Sequence, residues 1–480
     1  MNWLTNHWLE LLFLGGYLSM LAYHAFKGQR EATSISEFLI GGRRLGGVVI
    51  ALSFYATFVS SVTFVGHAGR SYTRGPAWWI TCVVVFTSMV FLSWFVVAPP
   101  FVKAARRFNS LTVPELLGAR YQSLLVRRMA GIVVVVASIV YMVAVYEGAA
   151  RSLESLLDLN RTTVMLILFV IVTSYTLTGG FHSVVATDSV QGLMLLAGGI
   201  SMPVAMIVRK GGIGPLLREV QQTNSEILLL GSTADYALML GLALGVGLKI
   251  CVEPRQLSRF YGLSSDEQLN RGRWLAPALL FATYLFMLPV GFMAHAFIPP
   301  EAQLKGGQVV PYLLGTVKVL GPIGGAFFLT GLAAAAMSSL DSVLLVAASS
   351  IDHDIIAPHR EERSAMTVTR VWIFVLSAVA AVTALNWPKG IVELSSLSGS
   401  VYAACFLPTL IWGLFWSKGS RIAAVVTIAL GLLVTLGWSE FKDVAFSGKL
   451  KWLHEVYVGT TLALVSYGVI SMFSPENARK

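Results

Sequence analysis

One long apolar stretch of the chain holds a carboxylate and three hydroxyl groups within about two helical turns. It reads Ala333-Ala-Ala-Ala-Met-Ser-Ser-Leu-Asp-Ser342, so the four groups belong to Ser338, Ser339, Asp341 and Ser342. A carboxylate at the centre of a bilayer costs on the order of 3 kcal/mol, so it needs a partner or a function. No basic residue lies nearby in the sequence, and hard cations bind oxygen ligands of these kinds. The pattern therefore favours a site for a cation such as sodium.

Small hydroxyl residues also occupy the centre of an earlier apolar stretch, Ser53-Phe-Tyr-Ala-Thr-Phe-Val-Ser-Ser-Val-Thr-Phe-Val-Gly66. One interpretation is close helix–helix packing through small residues, which is common in membrane bundles. The other is a discontinuous helix whose freed carbonyl groups line an ion or substrate site. The first interpretation suffices for this stretch alone, but the carboxylate-bearing stretch favours the second.

The elements that position these groups are membrane spans. Of the 480 residues, 55% are hydrophobic and only 12% are charged, which is about half the charged fraction of a soluble protein. The apolar runs are about 20 residues long, as crossing the hydrocarbon core as a helix requires. We expect an all-α polytopic membrane protein with about 13 transmembrane helices, near 6–25, 46–70, 76–102, 129–156, 161–179, 186–209, 234–255, 274–298, 322–350, 367–386, 392–416, 420–438 and 453–473.

Composition and motifs exclude several other classes of function. The net charge of +10 does not indicate nucleic acid, because the basic residues lie in short loops between spans. Cys82, Cys251 and Cys405 show no metal-ligand spacing, so we interpret them as small apolar residues. No nucleophile–base pattern, phosphate loop or nucleotide motif is present, so we expect neither catalytic residues nor direct drive by ATP. We also expect no obligate protein partner.

Basic residues cluster in alternate connections and so predict an orientation. The clusters are Lys27 to Arg44, Lys103 to Arg128, Arg255 to Arg273, Arg360 with Arg363, and Lys418 with Arg421. By the positive-inside rule these connections are cytoplasmic. We therefore expect a multi-pass protein of the cell (inner) membrane with its N-terminus outside and its C-terminus, Arg479-Lys480, inside. The connections 210–233 and 299–321 are then the longest on the outer side.

Six motifs in order along the chain resemble those of the sodium/solute symporter family, and the resemblance covers nearly the whole sequence. They are Glu37-Phe-Leu-Ile-Gly-Gly-Arg43; Tyr72-Thr-Arg-Gly75 with Trp78; Leu111-Thr-Val-Pro-Glu115 through Arg120-Tyr121; Tyr175-Thr-Leu-Thr-Gly-Gly-Phe-His-Ser183 with Ala186-Thr-Asp-Ser-Val-Gln191; Glu253-Pro254 through Arg259-Phe260; and Ser338-Ser339-Leu-Asp-Ser342 through Asp354-Ile355. The resemblance implies a LeuT-like core of two inverted five-helix repeats in a single transmembrane domain, 1–480. The repeats would be 46–209 and 234–416, with 1–45 and 417–480 as peripheral helices.

The same resemblance implies where sodium binds. Carried over residue by residue, the principal site consists of backbone carbonyls and hydroxyls of Ala56, Val59, Ala335, Ser338 and Ser339. A second site found in some relatives corresponds to Asp188, Ser338, Asp341 and Ser342. An alternative for Asp188 is a structural helix cap, because Thr187-Asp188 follows a Gly-Gly turn.

The solute is predicted less directly. Sugar-transporting relatives carry polar residues where this chain has Phe58, Val62 and Thr63, which argues against a hexose. Two ionisable residues, Glu147 and Lys249, lie within apolar stretches and are functional candidates. They either neutralise one another or reach an interface, or else they hold a charged solute. The substrate-binding candidates are Phe58, Ser60, Thr63, Trp79, Tyr146, Glu147, Lys249 and Ser396, with Phe58, Tyr146 and Trp79 as apolar walls.

These assignments lead to a function and two alternatives. Lys249 would bind a carboxylate and Glu147 an amine, so that both together suit an amino acid or another zwitterion. Lys249 alone suits a monocarboxylate or a pantothenate-like acid. We expect sodium-coupled symport of such a small organic solute by alternating access, in a protein that is not an enzyme. The alternatives are a solute-sensing membrane receptor on the same fold, and symport coupled to protons through Asp188, Asp341 or Glu147.

Overall fold

The computed structural model describes residues 2–31, 34–229, 233–356, 362–386, 389–446, 450 and 452–474. The described chain is almost entirely helical. Its principal helices are α1 (Trp8–Glu31), α2 (Gly47–Phe58), α3 (Val62–Arg107), α4 (Leu124–Leu157), α5 (Arg161–Arg209), α6 (Thr233–Val252), α7 (Leu275–Met287), α8 (Gly321–Ser349), α9 (Glu362–Leu385), α10 (Ile391–Phe406), α11 (Arg421–Ala445) and α12 (Glu455–Phe473).

Shorter helices connect these elements. They are Asn2–Asn6, Ile35–Ile40, Val113–Arg120, Ile213–Thr223, Pro254–Tyr261, Asp266–Gly272, Val290–Met293, Val309–Gly315 and Gly413–Phe415. The long connections on the predicted outer side are therefore partly helical. Arg360, Arg479 and Lys480, which belong to the predicted inner clusters, lie outside the described residues.

The expected membrane spans are confirmed. Within the described residues, 12 helical stretches are long and apolar enough to cross a membrane. One of them, α3, bends at Gly75, whose φ of 64° favours glycine over residues with a side chain. Its first part joins the short α2 to form the second expected span. The bend in α5 at Gly180 (φ 60°) likewise divides the fifth and sixth spans. With these bends as boundaries, each of the thirteen predicted spans corresponds to a helical segment.

Two of the membrane helices are broken. Helix α2 ends at Phe58, and Val59 is extended (φ −77°, ψ 113°) before the chain turns into α3. Helix α6 ends at Val252, and the chain continues through extended Glu253 into Pro254–Tyr261. Helix breaks inside a membrane protein occur where neighbouring groups satisfy the freed backbone. The predicted discontinuous helix is thus confirmed, and a second break faces it from α6.

The two broken helices open the two segments that the sequence predicts to be inverted repeats. The Arg255 side chain joins them, because its Nη1 donates a 2.9 Å hydrogen bond to the Thr57 carbonyl oxygen. Helices α8, α4 and α10 pack around the junction, and α8 is almost wholly buried. Helices α1, α11 and α12 lie at the periphery. The repeat symmetry itself stays a prediction.

Close backbone contact fixes α10 against α6. A Cβ atom on Gly399 would lie 1.8 Å from the Gly245 carbonyl oxygen, and one on Gly245 would lie 2.1 Å from Ser396 Oγ. Small residues at such crossings let membrane helices approach closely and gain dispersion contacts. The crossing brings Ser395 of α10 beside Lys249 of α6. Elsewhere, the three cysteines are buried and free, as their interpretation as apolar residues predicts.

Candidate cation and solute site

The break after α2 exposes carbonyl groups to the hydroxyls of α8. Ser338 Oγ donates to the Ala56 carbonyl oxygen at 3.1 Å and lies 3.2 Å from the Ala335 carbonyl oxygen. Ser339 Oγ donates to the Thr57 carbonyl oxygen at 3.1 Å. All of these residues are buried. The structure therefore brings together four of the five predicted principal-site residues, with Thr57 as an added neighbour.

The spacing of these oxygens suits a small hard cation. Oxygen ligands lie about 2.4 Å from such an ion, so two ligands at right angles are about 3.4 Å apart. The separations of 3.1 and 3.2 Å around Ser338 are close to this value. Val59, the fifth predicted ligand, is buried at the break itself, where its extended backbone interrupts the helical hydrogen-bond ladder.

The residues of the predicted second sodium site surround an arginine. Asp188 Oδ2 accepts hydrogen bonds from Ser53 (2.5 Å), Thr57 (3.2 Å) and Arg259 Nη2 (3.0 Å). The same Nη2 donates to Ser342 Oγ at 2.5 Å. Asp188 lies inside α5, eight residues beyond its bend, so the helix-cap alternative is wrong.

Arg259 reaches this cluster from the short helix after the α6 break, and sequence proximity gave no sign of it. Ser342 Oγ also donates to Asp341 Oδ1 at 3.1 Å, so the guanidinium lies near both acids. The Asp341 carboxylate has no basic neighbour in the sequence, but the fold places Arg259 near it. A second sodium among Asp188, Ser338, Asp341 and Ser342 stays a prediction, and Arg259 would have to share these ligands with it.

Lys249 lies one turn before the α6 break and is 1% exposed. Its Nζ donates to Ser395 Oγ at 3.0 Å and lies 3.9 Å from the centre of the Tyr141 ring. Among the described residues no carboxylate lies within ion-pair distance of it. A buried ammonium with one hydroxyl and one aromatic face has capacity for further acceptors. Lys249 is therefore available to bind an anionic group.

Glu147 has a different environment. Its carboxylate pairs with Arg151 at 2.6 Å and also with Arg161, at the predicted outer ends of α4 and α5. The alternative in which Glu147 and Lys249 neutralise one another is therefore wrong. Because both carboxylate oxygens already accept from guanidinium groups, the contacts of Glu147 are those of a structural bridge between helices. Its predicted role with an amine finds no support in this arrangement.

Aromatic rings gather next to the first break. Phe58 contacts Phe86 and Tyr284, and His67 stacks on Trp78 with ring centroids 5.7 Å apart. The Thr63 and Tyr284 hydroxyls are 3.4 Å apart, and the Ser60 hydroxyl accepts from the backbone at the break. Phe58, Ser60 and Thr63 are therefore brought together as predicted.

Three of the predicted solute contacts lie elsewhere. Tyr146 donates or accepts a hydrogen bond with Ser377 of α9, on the far side of α4. Trp79 packs on Phe292 and is partly exposed, while its neighbour Trp78 faces inward. Ser396 donates to the Leu242 carbonyl oxygen, while its neighbour Ser395 contacts Lys249. Each of these differences is a matter of helical phase, in which one residue changes the facing direction by about 100°.

Comparisons with known proteins identify the family of the chain. The model of the sodium:solute symporter family matches residues 38–431. The chain belongs to the sodium:solute symporter family. Sodium is accordingly the coupling ion, and the chain is a sodium-coupled symporter and a multi-pass membrane protein.

Individual relatives are distant but extend over most of the chain. The sodium/pantothenate symporter of Escherichia coli (strain K12) is 27% identical over 419 residues, 86% of each protein. The sodium/proline symporter of Staphylococcus aureus (strain JH9) is 26% identical over 98% of this chain and 94% of the relative. The structure of a sodium-coupled sialic acid symporter, substrate-bound and outward-open, matches with a TM-score of 0.81 over 98% of this chain and 99% of that one, at 18% identity. The LeuT-like fold is thereby confirmed.

Two adjacent cavities among the described residues lie on the predicted outer side of the symporter. A cavity of about 330 Å³ lies between Gly66 and Arg70 of α3, Ile391 of α10 and the Gly306-Gly307 turn. A second, of about 560 Å³, adjoins it and shares Arg151, Lys305 and Gly307. On the predicted inner side, Thr112, Pro254 and Ser349 enclose a gap of only about 20 Å³.

Polar contacts close the predicted inner side of the symporter. Arg127 of α4 donates to Asp354 Oδ1 at 3.0 Å, and Thr112 donates to the same oxygen at 2.8 Å. Glu115 contacts His353 at 3.2 Å. Burial alone would raise the pKa of Glu115, but hydrogen bonds with His353 and the Leu111 N–H outweigh it and hold the pKa below its ordinary value. These contacts hold the segments together on the predicted inner side, whereas the two cavities lie on the predicted outer side.

Proposed function

We propose that this protein takes up a small organic carboxylate across the cell (inner) membrane by sodium-coupled symport, without enzymatic activity. The observation that carries the proposal is Lys249, a fully buried ammonium beside the α6 break with no carboxylate partner among the described residues. Burying such a charge costs on the order of 3 kcal/mol, which a solute carboxylate offsets when it binds. The Tyr141 ring and the Ser395 hydroxyl hold the ammonium in position.

Each group in the proposed mechanism has one role. Sodium binds to the carbonyls of Ala56, Val59 and Ala335 and the hydroxyls of Ser338 and Ser339. The solute carboxylate binds Lys249, and its apolar part lies against Phe58 and the neighbouring rings. Alternating access moves one group of helices against the other around these sites. The N-terminus is outside and the C-terminus inside, as the basic loops indicate.

The names of the relatives support a carboxylate. Pantothenate, proline and sialic acid, the solutes for which the related proteins are named, all carry a carboxylate group. They differ in net charge, because proline is a zwitterion and the other two are anions. These three compounds are therefore the first probes to test.

Uptake into proteoliposomes tests the proposal, with sodium and pH gradients imposed separately. Sodium alone drives accumulation of at least one carboxylate, and Lys249→Met lowers its apparent affinity at least about tenfold, the loss of one charge-assisted hydrogen bond. The control is Lys442→Met, which removes a lysine paired at 3.6 Å with Glu455, away from the break. Unchanged carboxylate uptake in Lys249→Met would refute the role of that residue.

The same experiment separates the two alternatives. A proton gradient that suffices without sodium would favour proton coupling. Binding of a carboxylate without gradient-driven accumulation would favour a solute-sensing receptor. No specific contact in the structure favours either alternative over symport.

A further inference from the structure

The two outer cavities form one basic vestibule. The cavities adjoin one another at Arg151, Lys305 and Gly307, which line both, and the combined lining carries five basic side chains. They are Arg70, Arg151, Arg161, Lys305 and Lys389. The acidic lining residues are Glu154 and Glu393. The vestibule is therefore a concave surface with an excess of positive charge.

Its arginines are held in fixed positions. Arg151 lies between the buried carboxylate of Glu147 and the backbone of Gly307, where a Cβ atom would be 2.9 Å from Arg151 Nη1. The turn at Gly306 is itself clamped, since a Cβ on Gly69 would lie 2.1 Å from the Gly306 carbonyl oxygen. Arg70 pairs with Glu393 across the same cavity. The positive groups are thus ordered before any solute arrives.

Three of the four carboxylates in or beside the vestibule pair with its basic groups, whereas the fourth, Glu154, has no ion-pair partner among the described residues. Glu147 pairs with two arginines, Glu393 pairs with Arg70, and Glu440 pairs with Lys389. Lys305 is exposed at the rim and has no ion-pair partner among the described residues. Because two arginines share the single Glu147 carboxylate, the five basic side chains exceed the four carboxylates, and the net positive charge attracts a solute with net negative charge more than a zwitterion. Clefts lined by one sign of charge concentrate ligands of the opposite sign.

We propose that this vestibule, Arg70, Arg151, Arg161, Lys305 and Lys389, is an outer capture site that selects solutes with net negative charge over zwitterions. It rests on the proposed function and narrows it, since a net anion is concentrated here before its carboxylate reaches Lys249. The sequence left the monocarboxylate and the zwitterion open, and the vestibule favours the monocarboxylate.

A cysteine-accessibility experiment measures the field of the vestibule without requiring transport. Thr73 lines the smaller cavity and is exposed, and the three native cysteines are buried. The measured quantity is the ratio of the reaction rates of an anionic and a cationic methanethiosulfonate reagent with the purified protein at low ionic strength. We expect this ratio to be about tenfold higher for Thr73→Cys than for Ser225→Cys, at an exposed position outside both cavities. Adding Lys305→Gln lowers this preference about threefold, and 1 M salt abolishes it, because the Debye length falls to about 3 Å.

Matched variants and solutes complete the test. Lys318→Gln, on the same side of the membrane but outside both cavities, leaves the preference unchanged. Millimolar pantothenate slows the reaction at Thr73→Cys, and proline at the same concentration does not. An equal reagent preference at Thr73→Cys and Ser225→Cys, or equal protection by proline, would overturn the capture site. Failure of the proposed function would instead appear as absent sodium-driven uptake of pantothenate, proline and sialic acid in the wild type.

Discussion

Removing one hydroxyl at the first break should weaken sodium binding specifically. Ser338 Oγ lies between two carbonyl oxygens, at 3.1 Å from that of Ala56 and 3.2 Å from that of Ala335. Its replacement in Ser338→Ala deletes one of five proposed oxygen ligands and leaves the backbone ligands in place. A hydrogen bond to a charged group contributes about 1.5–3 kcal/mol, and we take a hydroxyl–cation contact to be of similar strength. At about 1.4 kcal/mol for each factor of ten, sodium affinity falls about 10- to 100-fold.

Sodium titration of the purified protein measures this effect. Sodium raises the unfolding temperature of wild type by binding the folded state, and the midpoint of the titration moves to higher concentration in Ser338→Ala. Potassium at the same ionic strength is the ionic control. Ser349→Ala is the matched variant, because Ser349 is on the same helix and its hydroxyl bonds only within that helix, to Val346. A wild-type sodium midpoint in Ser338→Ala, with the protein folded, would show that this hydroxyl is not a ligand.

Three further substitutions test other parts of the structure. Glu147→Gln leaves two guanidinium groups without their charge partner, so we expect the free energy of unfolding, measured by thermal unfolding in detergent, to fall by about 1–3 kcal/mol. Solute affinity stays at the wild-type value, and a loss of affinity without a loss of stability would instead support a solute-binding role. Gly399→Ala forces α10 away from α6, and this overpacking costs about 1–3 kcal/mol and lowers the unfolding temperature. Gly437→Ala, where the added methyl group would meet open space, is the control and leaves the unfolding temperature unchanged. Equal stabilities of the two variants would contradict the close crossing. Arg255→Gln removes the hydrogen bond that joins the two broken helices, so we expect sodium to raise solute affinity by a smaller factor than in wild type. Calorimetry of solute binding with and without sodium measures this factor, and an unchanged factor would contradict the coupling through Arg255.

The sequence predicted the membrane helices well because hydrocarbon imposes a simple requirement on length and polarity. It also predicted the first break, since hydroxyl residues near mid-membrane accompany freed carbonyls. The cluster of Ser338, Ser339, Asp341 and Ser342 was visible in the sequence, whereas Ala335 was assigned only through the resemblance to the family. Burial of this cluster was predictable from residue type.

The parts that sequence reasoning missed depend on contacts between distant segments. Arg259 lies 71 residues from Asp188 in the chain, so only the packing of the short helix after the α6 break brings the two together. Arg259 was visible in the sequence as a charged residue within a family motif, but nothing in the sequence indicated that Asp188 is its partner. Trp78 and Ser395 were missed by one residue each. Small errors in helical phase move a side chain to another face, and apolar stretches provide little polar patterning to fix that phase.

The two helix breaks are connected through Thr57, which contacts residues at both the proposed sodium site and the proposed solute site. The Thr57 carbonyl oxygen accepts from Ser339, next to the proposed sodium ligands, and from Arg255, which stacks at 4.4 Å on the Tyr141 ring. Lys249 also contacts that ring, with Nζ 3.9 Å from its centre. In the proposed mechanism, sodium that orders the carbonyls at the first break also orders the groups that hold the proposed solute anchor. A coupling free energy between two ligands is reciprocal, so solute bound at Lys249 must stabilise sodium by the same amount. The hydrogen bonds of the Thr57 carbonyl oxygen with Ser339 and Arg255 connect the two proposed sites and can carry this coupling.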